Sequence, residues 1–249
     1  MSVEVSLLGP LQMTAGGGEV RLGGQGRRTV VAMLALHAGL VVSTDSLIDA
    51  LWGDQPPVTA MTKLQGHICG LRRELNRLGC DAATVLRTAA PGYLLCDHQV
   101  HTDLAEFERL TRAAALAPDA PAIVALLEPA LLLWRGTTCS DVRSARIAAA
   151  AATVDDRRAR ARESLAEARL ALGQVNVALD DMNRLVLDQP FRERAWEMVI
   201  RCHIARRDTA AALATYHRVS RLLSAELGVQ PGRQLRTIAA RLAEPLATR

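Results

Sequence analysis

The feature that most constrains this chain is the pattern of residues 58–78. Isoleucine and leucine recur there at intervals of three and four residues, which places them along one side of an α-helix. These residues are Leu64, Ile68, Leu71, Leu75 and Leu78. The opposite side carries hydroxyl groups, cations and glycines, Pro56 and Pro57 precede the segment, and Gly79 follows it. The sequence therefore predicts a helix whose apolar side is buried in a domain and whose polar, basic side is exposed.

Short elements precede this helix. Apolar residues alternate with polar ones over residues 3–7 and recur in a short run over 19–22, which indicates β-strands. Helical periodicity predicts α-helices over 25–38 and 45–52, the second capped by Ser43 or by the threonine after it. Because strands this short are not stable on their own, we expect them to pack on the helices.

A hairpin follows the helix of residues 58–78. Segments 85–88 and 93–96 have strand character and flank a turn in which Gly92 is expected to allow the reversal. Strands, three helices and a terminal hairpin, in this order, are typical of a winged helix-turn-helix domain. We therefore assign residues 1–98 to an α+β winged helix-turn-helix domain, with the long helix as its recognition helix and the hairpin as its wing.

Beyond residue 98 the sequence is predominantly helical. Alanine and leucine dominate it, and a weak repeat of 34 residues relates Ala178 to Ala212 and Gly173 to Arg207. This spacing is the period of tetratricopeptide helical hairpins. We assign residues 99–249 to an all-α, tetratricopeptide-like helical domain. Its later helices are predicted over 144–172, 174–187, 190–205, 208–227 and 231–243.

Composition argues against several classes of protein. No apolar run is long enough to span a membrane and the N-terminus lacks a signal peptide, so we expect a cytoplasmic protein without a membrane partner. The five cysteines are scattered without a CxxC pair, which predicts reduced cysteines, no metal and no cofactor. Walker, GxSxG and HExxH motifs are absent, and we therefore expect no enzymatic activity.

Positive charge is local rather than general. The formal net charge of +4 gives only a weak preference for an anionic partner, and residues 1–98 are balanced. Within 59–90, however, the cations exceed the two acidic residues, Glu74 and Asp81. The cations are Lys63, Arg72, Arg73, Arg77 and Arg87. This excess lies on the predicted recognition helix and wing, which favours double-stranded DNA as the partner.

The outer face of the recognition helix supplies the candidate binding residues. Lysine and arginine can bond guanine edges or phosphates, and threonine offers a hydroxyl and a methyl group. Glycine costs a helix interior about 1 kcal/mol relative to alanine, so Gly66 and Gly70 suggest close approach to another backbone or to a DNA groove. A plain solvated face is the competing interpretation. The candidates are Thr59, Thr62, Lys63, Gly66, His67, Gly70, Arg72, Arg73 and Arg77 on the helix, with Arg87 and Thr88 in the wing.

The expected roles divide these residues into two groups. Base edges in a major groove would be approached by Thr62, Lys63, Gly66 and His67. Phosphates would be bound by Arg72, Arg73, Arg77 and Arg87.

Several segments resemble known families. Similarity to the OmpR-type winged helix is carried by VEVSLLGPLQM, VVSTDSLIDALWGDQPP, TKLQGHICGLRREL and PGYLL. Similarity to the bacterial transcriptional activation domain is carried by TDLAEFERL, ALLLWRG, ALGQVNVALDDMNRLVLDQPFRERAWEMVI and LLSAELGVQPGRQL. In this order the segments resemble the Streptomyces antibiotic regulatory protein family. The resemblance implies a sequence-specific activator that binds direct repeats near the promoter −35 region, usually of secondary-metabolite genes, and recruits RNA polymerase.

The resemblance also implies the surfaces that these partners use. The sigma factor and alpha subunit of RNA polymerase would face a loop made of Trp52, Gly53, Asp54, Gln55 and Pro56. Two protomers would lie side by side on repeated half-sites, in contact through their helical domains. The sequence departs from the family at Cys69-Gly70, where members often have Ser-Arg, and at Leu94, where the wing is often basic.

One alternative function stays open. The helical domain could be a receptor for a ligand or partner, with DNA binding secondary or repressive. The winged helix begins at residue 3, and we expect no receiver domain before it. A regulatory signal other than the expression level of the protein would then act directly on residues 99–249.

Overall fold

The computed structural model describes residues 2–243, and its contacts divide the chain into two compact units. The first unit runs to Arg112 and includes Ala130–Arg157; the second contains Ala113–Pro129 and the chain from Arg158 onward. Met1 and residues 244–249, the ends of the two predicted domains, lie outside the described residues. The strands are β1 (Val3–Ser6), β2 (Gln12–Ala15), β3 (Gly18–Glu19), β4 (Val41–Ser43), β5 (Leu86–Ala89), β6 (Gly92–Leu95) and β7 (Val100–Thr102). The helices are α1 (Gln25–Leu36), α2 (Thr44–Trp52), α3 (Ala60–Arg77), α4 (Ala82–Val85), α5 (Asp103–Ala115), α6 (Ala120–Leu132), α7 (Ala145–Ala171), α8 (Val175–Asp188), α9 (Glu193–Ala205), α10 (Thr209–Leu227) and α11 (Arg233–Ala243).

The first unit contains two small sheets. The first sheet has the order β3-β2-β1-β7, with β1 antiparallel to β2 and parallel to β7. The second has the order β4-β6-β5 and includes the predicted hairpin, β5 and β6. The strands β4 and β7 and the short helix α4 were not predicted. Each is only three or four residues long, so it leaves no clear periodicity in the sequence. The strands β4 and β7 also depend on pairing with the distant strands β6 and β1.

The helix predicted over residues 58–78 is α3, and its apolar side forms the centre of the first unit. Leu64, Ile68, Leu71 and Leu75 are each at most 2% exposed, and α1 and α2 pack against this helix. It begins two residues later than predicted, because a turn precedes it in which the N–H of Ala60 donates to the carbonyl of residue 57 over 2.8 Å. The predicted cap of α2 is confirmed at residue 43, whose hydroxyl accepts the N–H of residue 46.

The segment that follows α6 folds back onto the first sheet. The N–H groups of Arg135 and Cys139 donate to the carbonyls of Leu8 (2.7 Å) and Leu7 (2.9 Å). The Asp103 carboxylate in turn accepts the N–H groups of Leu7 (2.7 Å) and Leu8 (3.0 Å). Burial raises the pKa of Asp103, while these two hydrogen bonds oppose that shift. Residues 130–157 therefore belong to the first unit, although Ala113–Pro129 of the second unit separates them from the rest of it in sequence.

The second unit repeats one helical turn geometry at the interval found in the sequence. Gly173 and Arg207, which follow α7 and α9, have positive φ angles of 75° and 59°. In both turns the N–H of the next residue donates to the carbonyl five residues earlier, over 2.8 Å after Gly173 and 3.0 Å after Arg207. This is the Schellman arrangement that ends a helix. Helical hairpins therefore recur in this unit, in agreement with the predicted tetratricopeptide-like fold.

Candidate nucleic-acid interface

One side of α3 is open in the first unit. Thr62, Lys63, Gly66 and Arg73 are exposed, and no atom lies within 4 Å of a Cβ built on Gly66. Among residues 2–243, the side chains of Lys63 and Arg73 take part in no hydrogen bond or ion pair. Their donors are therefore free for a ligand, and the bare helix backbone at Gly66 allows that ligand to approach closely.

The side of α3 that meets α1 is covered. The ring of His67 lies against Gly26 of α1, where a Cβ would be 2.6 Å from Cε1. Burial lowers the pKa of His67, and the nearby charge of Arg27 lowers it further. The Arg27 guanidinium, also from α1, lies against Gly70, which is buried. Packing within the protein therefore explains the glycine at position 70, whereas Gly66 faces open space.

Arg72 connects α3 to the wing. Its Nε and Nη2 atoms donate to the carbonyl of Leu86 over 3.1 and 2.9 Å, and Nη2 also donates to the Thr88 hydroxyl over 2.9 Å. Both acceptors belong to β5. The side chain therefore fixes the wing relative to the recognition helix. Its predicted phosphate contact stays a prediction, as does the predicted DNA contact of Thr88.

The remaining candidates are two arginines, on α3 and β5, and the threonine that precedes α3. Arg77, in the last turn of α3, donates Nε to the Glu74 carboxylate over 3.0 Å in an exposed ion pair. Such a pair contributes little to stability and can be exchanged for another anion. Arg87 is exposed on β5, opposite Leu94. Thr59 is the N-cap of α3, and its side chain makes no capping hydrogen bond.

The structure requires glycine at position 92 for a reason other than the predicted turn. It is the first residue of β6, paired with Ser43 of β4, and it is buried. A Cβ built on Gly92 would lie 2.8 Å from the Cα of Ser43 and closer still to the carbonyl oxygen of Val42. The residue is therefore required by the close approach of β4 rather than by the turn, and β4 was the strand that the sequence did not reveal.

The loop after α2 is supported through the last turns of α2, which contact residues at the start of α7. Trp52 ends α2 and is half-buried. The Ser144 hydroxyl donates to the carbonyl of Ala50 over 2.7 Å, and Arg146 forms an ion pair with Asp49 over 2.7 Å. The exposed residues of the loop are Gly53, Asp54, Gln55 and Pro56. Since more than ninety residues separate these partners, no local pattern could have indicated this support.

The described residues contain no cluster of metal-ligating side chains. Within residues 2–243, no group of three or more His, Cys, Asp or Glu side chains could hold a metal ion, and no helix is long and apolar enough to cross a membrane. The five cysteines are free thiols, with Cys69 exposed on α3 and the others buried. Burial raises the pKa of Cys139 to about 12 and that of Cys202 to about 11, so both stay protonated.

Two family models match the chain. The family described as "Transcriptional regulatory protein, C terminal" matches residues 17–95, and "Bacterial transcriptional activator domain" matches residues 102–243. The Transcriptional regulatory protein MoaR1 of Mycobacterium tuberculosis is 34% identical over 245 residues, which cover 95% of this chain and 78% of MoaR1. The Transcriptional regulator RedD of Streptomyces coelicolor is 38% identical over 241 residues, covering 94% of this chain and 68% of RedD.

A solved structure has the same fold. The structure of Mycobacterium tuberculosis EmbR in complex with a low-affinity phosphopeptide superposes with a TM-score of 0.88 and 31% sequence identity. The match covers 98% of this chain, which spans 65% of that EmbR chain. The matching families and relatives are transcriptional regulators and not enzymes, as predicted. The winged helix-turn-helix, the helical region after it and these relatives together show that the chain belongs to the Streptomyces antibiotic regulatory protein family of DNA-binding transcriptional activators.

Proposed function

We propose that this chain activates transcription by placing α3 in the major groove of promoter DNA, with the wing on the adjacent backbone. The outer face of α3 carries the proposal. Exposed cations without protein partners in the described part of the chain lie there beside the open backbone at Gly66. The major groove of B-DNA is wide enough for an α-helix and displays a distinct pattern of donors and acceptors for each base pair.

In this proposal the exposed residues contact the DNA. Thr62 and Lys63 approach base edges, and Gly66 lets the helix backbone come close to the groove floor. Arg73 and Arg87 bind phosphates, because both are exposed and neither side chain has a hydrogen-bond or ion-pair partner within residues 2–243. Phosphate contacts fix the register of the helix, while base contacts select the sequence.

Two predicted contacts become positioning roles in this proposal. His67 was expected near base edges, but its ring packs on α1 and orients α3 against that helix. Arg72, whose phosphate contact stays a prediction, uses two of its nitrogens to hold β5. Arg77 keeps its phosphate role by exchanging the Glu74 carboxylate for a DNA phosphate.

The same proposal divides the chain by function. Residues 1–98 bind DNA and residues 99–249 activate, a division supported by the family matches that end at 95 and resume at 102. The loop of residues 52–56, exposed from residue 53 onward and supported through α2, would contact the sigma factor and alpha subunit of RNA polymerase. Two protomers would bind side by side on direct repeats near the −35 region of secondary-metabolite promoters, contacting each other through their helical domains.

Footprinting tests this proposal on the promoters upstream of and next to the protein's own gene, with and without RNA polymerase. We expect repeated half-sites protected together and an extended footprint with polymerase. Lys63→Ala should relax sequence preference, whereas Arg73→Ala should weaken all sites and lower the salt slope by about one. Arg112→Ala, an exposed charge on α5, is the matched control.

Two results would count against the proposal. If Arg73→Ala had the affinity and salt dependence of the Arg112→Ala control, the DNA-binding face would be wrong. If one protomer bound one isolated half-site at full affinity, the side-by-side arrangement would be wrong.

A groove in the second unit favours a second candidate function, reception of a ligand. The groove encloses about 420 Å³, which is within the range of small-molecule sites. Trp196 lines it, and the guanidinium of Arg218 lies 5.2 Å from the centre of its ring. An anionic ligand with an apolar body would fit this lining. Quenching of Trp196 fluorescence by such a compound, coupled to a change in DNA affinity, would support the receptor function.

A further inference from the structure

A cation from another helix lies on the recognition helix. Arg27 belongs to α1, but its guanidinium lies over Gly70 of α3. A Cβ built on Gly70 would lie 2.8 Å from Cζ, Nε and Nη2 of Arg27, and one on Gly23 would lie 3.7 Å from Nη1. The guanidinium thus occupies the place where a side chain of residue 70 would begin, and any larger residue there would displace it.

By helical spacing Gly70 shares the outer face of α3, although the Arg27 guanidinium covers Gly70 itself. Gly66 precedes Gly70 by four residues, and Lys63 and Arg77 lie seven residues to either side of it. Residues at these intervals share one side of a helix. The guanidinium is therefore inserted among the exposed residues that the proposed function assigns to DNA, although its own backbone lies in α1.

Arg27 differs from the arginine next to it. Arg28 donates to the Leu11 carbonyl over 2.8 Å and pairs with the Asp141 carboxylate. Arg27 is half-buried and, among residues 2–243, its side chain forms no hydrogen bond or ion pair. A guanidinium held by packing but without an acceptor keeps its five N–H donors for a ligand, and its planar fork matches the oxygens of a phosphate.

We propose that Arg27 binds the DNA backbone and supplies from α1 the cation that position 70 of the recognition helix lacks. The inference rests on the proposed DNA-binding role of α3 and adds a contact from a second helix. The glycine at position 70 permits the contact, because a side chain there would displace the guanidinium from the outer face.

Salt titrations of affinity test this contact. The probe is mixed-sequence double-stranded DNA, to which binding depends mainly on phosphate contacts. We expect Arg27→Gln to lower the slope of log affinity against log salt by about 0.9, and to weaken binding about tenfold near 0.1 M salt. Arg27→Lys should keep the slope, and Arg27→Gln combined with Gly70→Arg should restore it. Circular dichroism checks the fold, and Arg27→Met, which keeps an apolar stem over Gly70, is a second variant without the charge.

Three outcomes would overturn the inference. The first is a wild-type slope in both Arg27→Gln and Arg27→Met. The second is an equal loss in Arg27→Lys and Arg27→Gln, which would show that the charge is not what matters. The third is a double variant whose slope stays low, which would place the contact away from position 70. Arg73→Ala separates this failure from that of the proposed function: if it lowers the slope while the Arg27 variants do not, only the contact from α1 is wrong.

Discussion

Replacing Arg72 and Arg73 separately distinguishes a structural arginine from a binding arginine at adjacent positions. Arg72→Ala removes three hydrogen bonds between α3 and the wing, two to the Leu86 carbonyl and one to the Thr88 hydroxyl. Arg73→Ala removes a side chain that, within residues 2–243, has no hydrogen-bond or ion-pair partner. The first change should loosen the wing, and the second should affect DNA binding without loosening it.

The expected size follows from the geometry of these bonds. A hydrogen bond to a charged group contributes about 1.5–3 kcal/mol. Two of the Arg72 bonds share the Leu86 carbonyl, and the acceptor of the third, the Thr88 hydroxyl, is exposed, so the three together are worth about as much as one such bond. We expect Arg72→Ala to reduce the free energy of opening of the wing by about 2 kcal/mol, which is a factor of about thirty. Arg73→Ala should change it by less than about 0.5 kcal/mol.

Hydrogen exchange measured by mass spectrometry is the appropriate assay, because it reports local opening in a chain with two units. Peptides that cover β5 and β6 should exchange up to about thirty times faster in Arg72→Ala than in the wild type. Peptides from α8 to α10 should be unchanged and provide an internal control. Equal exchange of the wing in Arg72→Ala and Arg73→Ala would refute the structural role of Arg72.

Three further predictions concern other parts of the structure. Arg207→Gly should stabilise the second unit by about 0.5–1 kcal/mol in urea denaturation, because the positive φ of 59° is unfavourable for arginine and glycine adopts it freely; Gly173→Ala should destabilise it. N-ethylmaleimide should label the exposed Cys69 first and block DNA binding, with Cys69→Ser as the resistant control. Burial raises the pKa of Cys139 to about 12, so labelling of Cys139 at a similar rate would contradict this. Because burial lowers the pKa of His67 below its ordinary value of 6.5, the folded state disfavours the proton, so its contribution to stability is present above pH 6.5 and is lost as the pH falls through the lowered value. A His67→Gln variant should therefore lose less stability on acidification than the wild type, as followed by thermal unfolding.

The sequence predicted most of the recognition helix because helical periodicity is local. Every residue of the apolar series from Leu64 to Leu75 is buried, and Thr62, Lys63 and Arg73 are exposed as expected. What the pattern could not show is which neighbours cover the rest of the helix. His67 and Gly70 meet α1 on one side and Arg72 meets β5 on another.

Two contacts depended wholly on tertiary structure. The close approach that requires Gly92 comes from β4, a three-residue strand about fifty residues earlier in the chain. The support of the loop after α2 comes from Ser144 and Arg146, at the start of α7. Neither partner lies within a few residues of the feature that it explains, so neither could appear as a period or a motif.

The sequence by itself determined the order of the longer helices and the hairpin, the buried side of α3, the cations on its outer side and the 34-residue repeat. Each of these is a property of residues close together along the chain, where spacing alone sets the direction of a side chain. Only the tertiary structure decided which of the cationic side chains are bound within the protein and which are left for a ligand. Arg72 is committed to the wing, Arg28 to Asp141, and Arg27 is carried from α1 onto the face of α3. An arginine side chain is long and flexible, so its partner is set by whatever the fold brings within its reach.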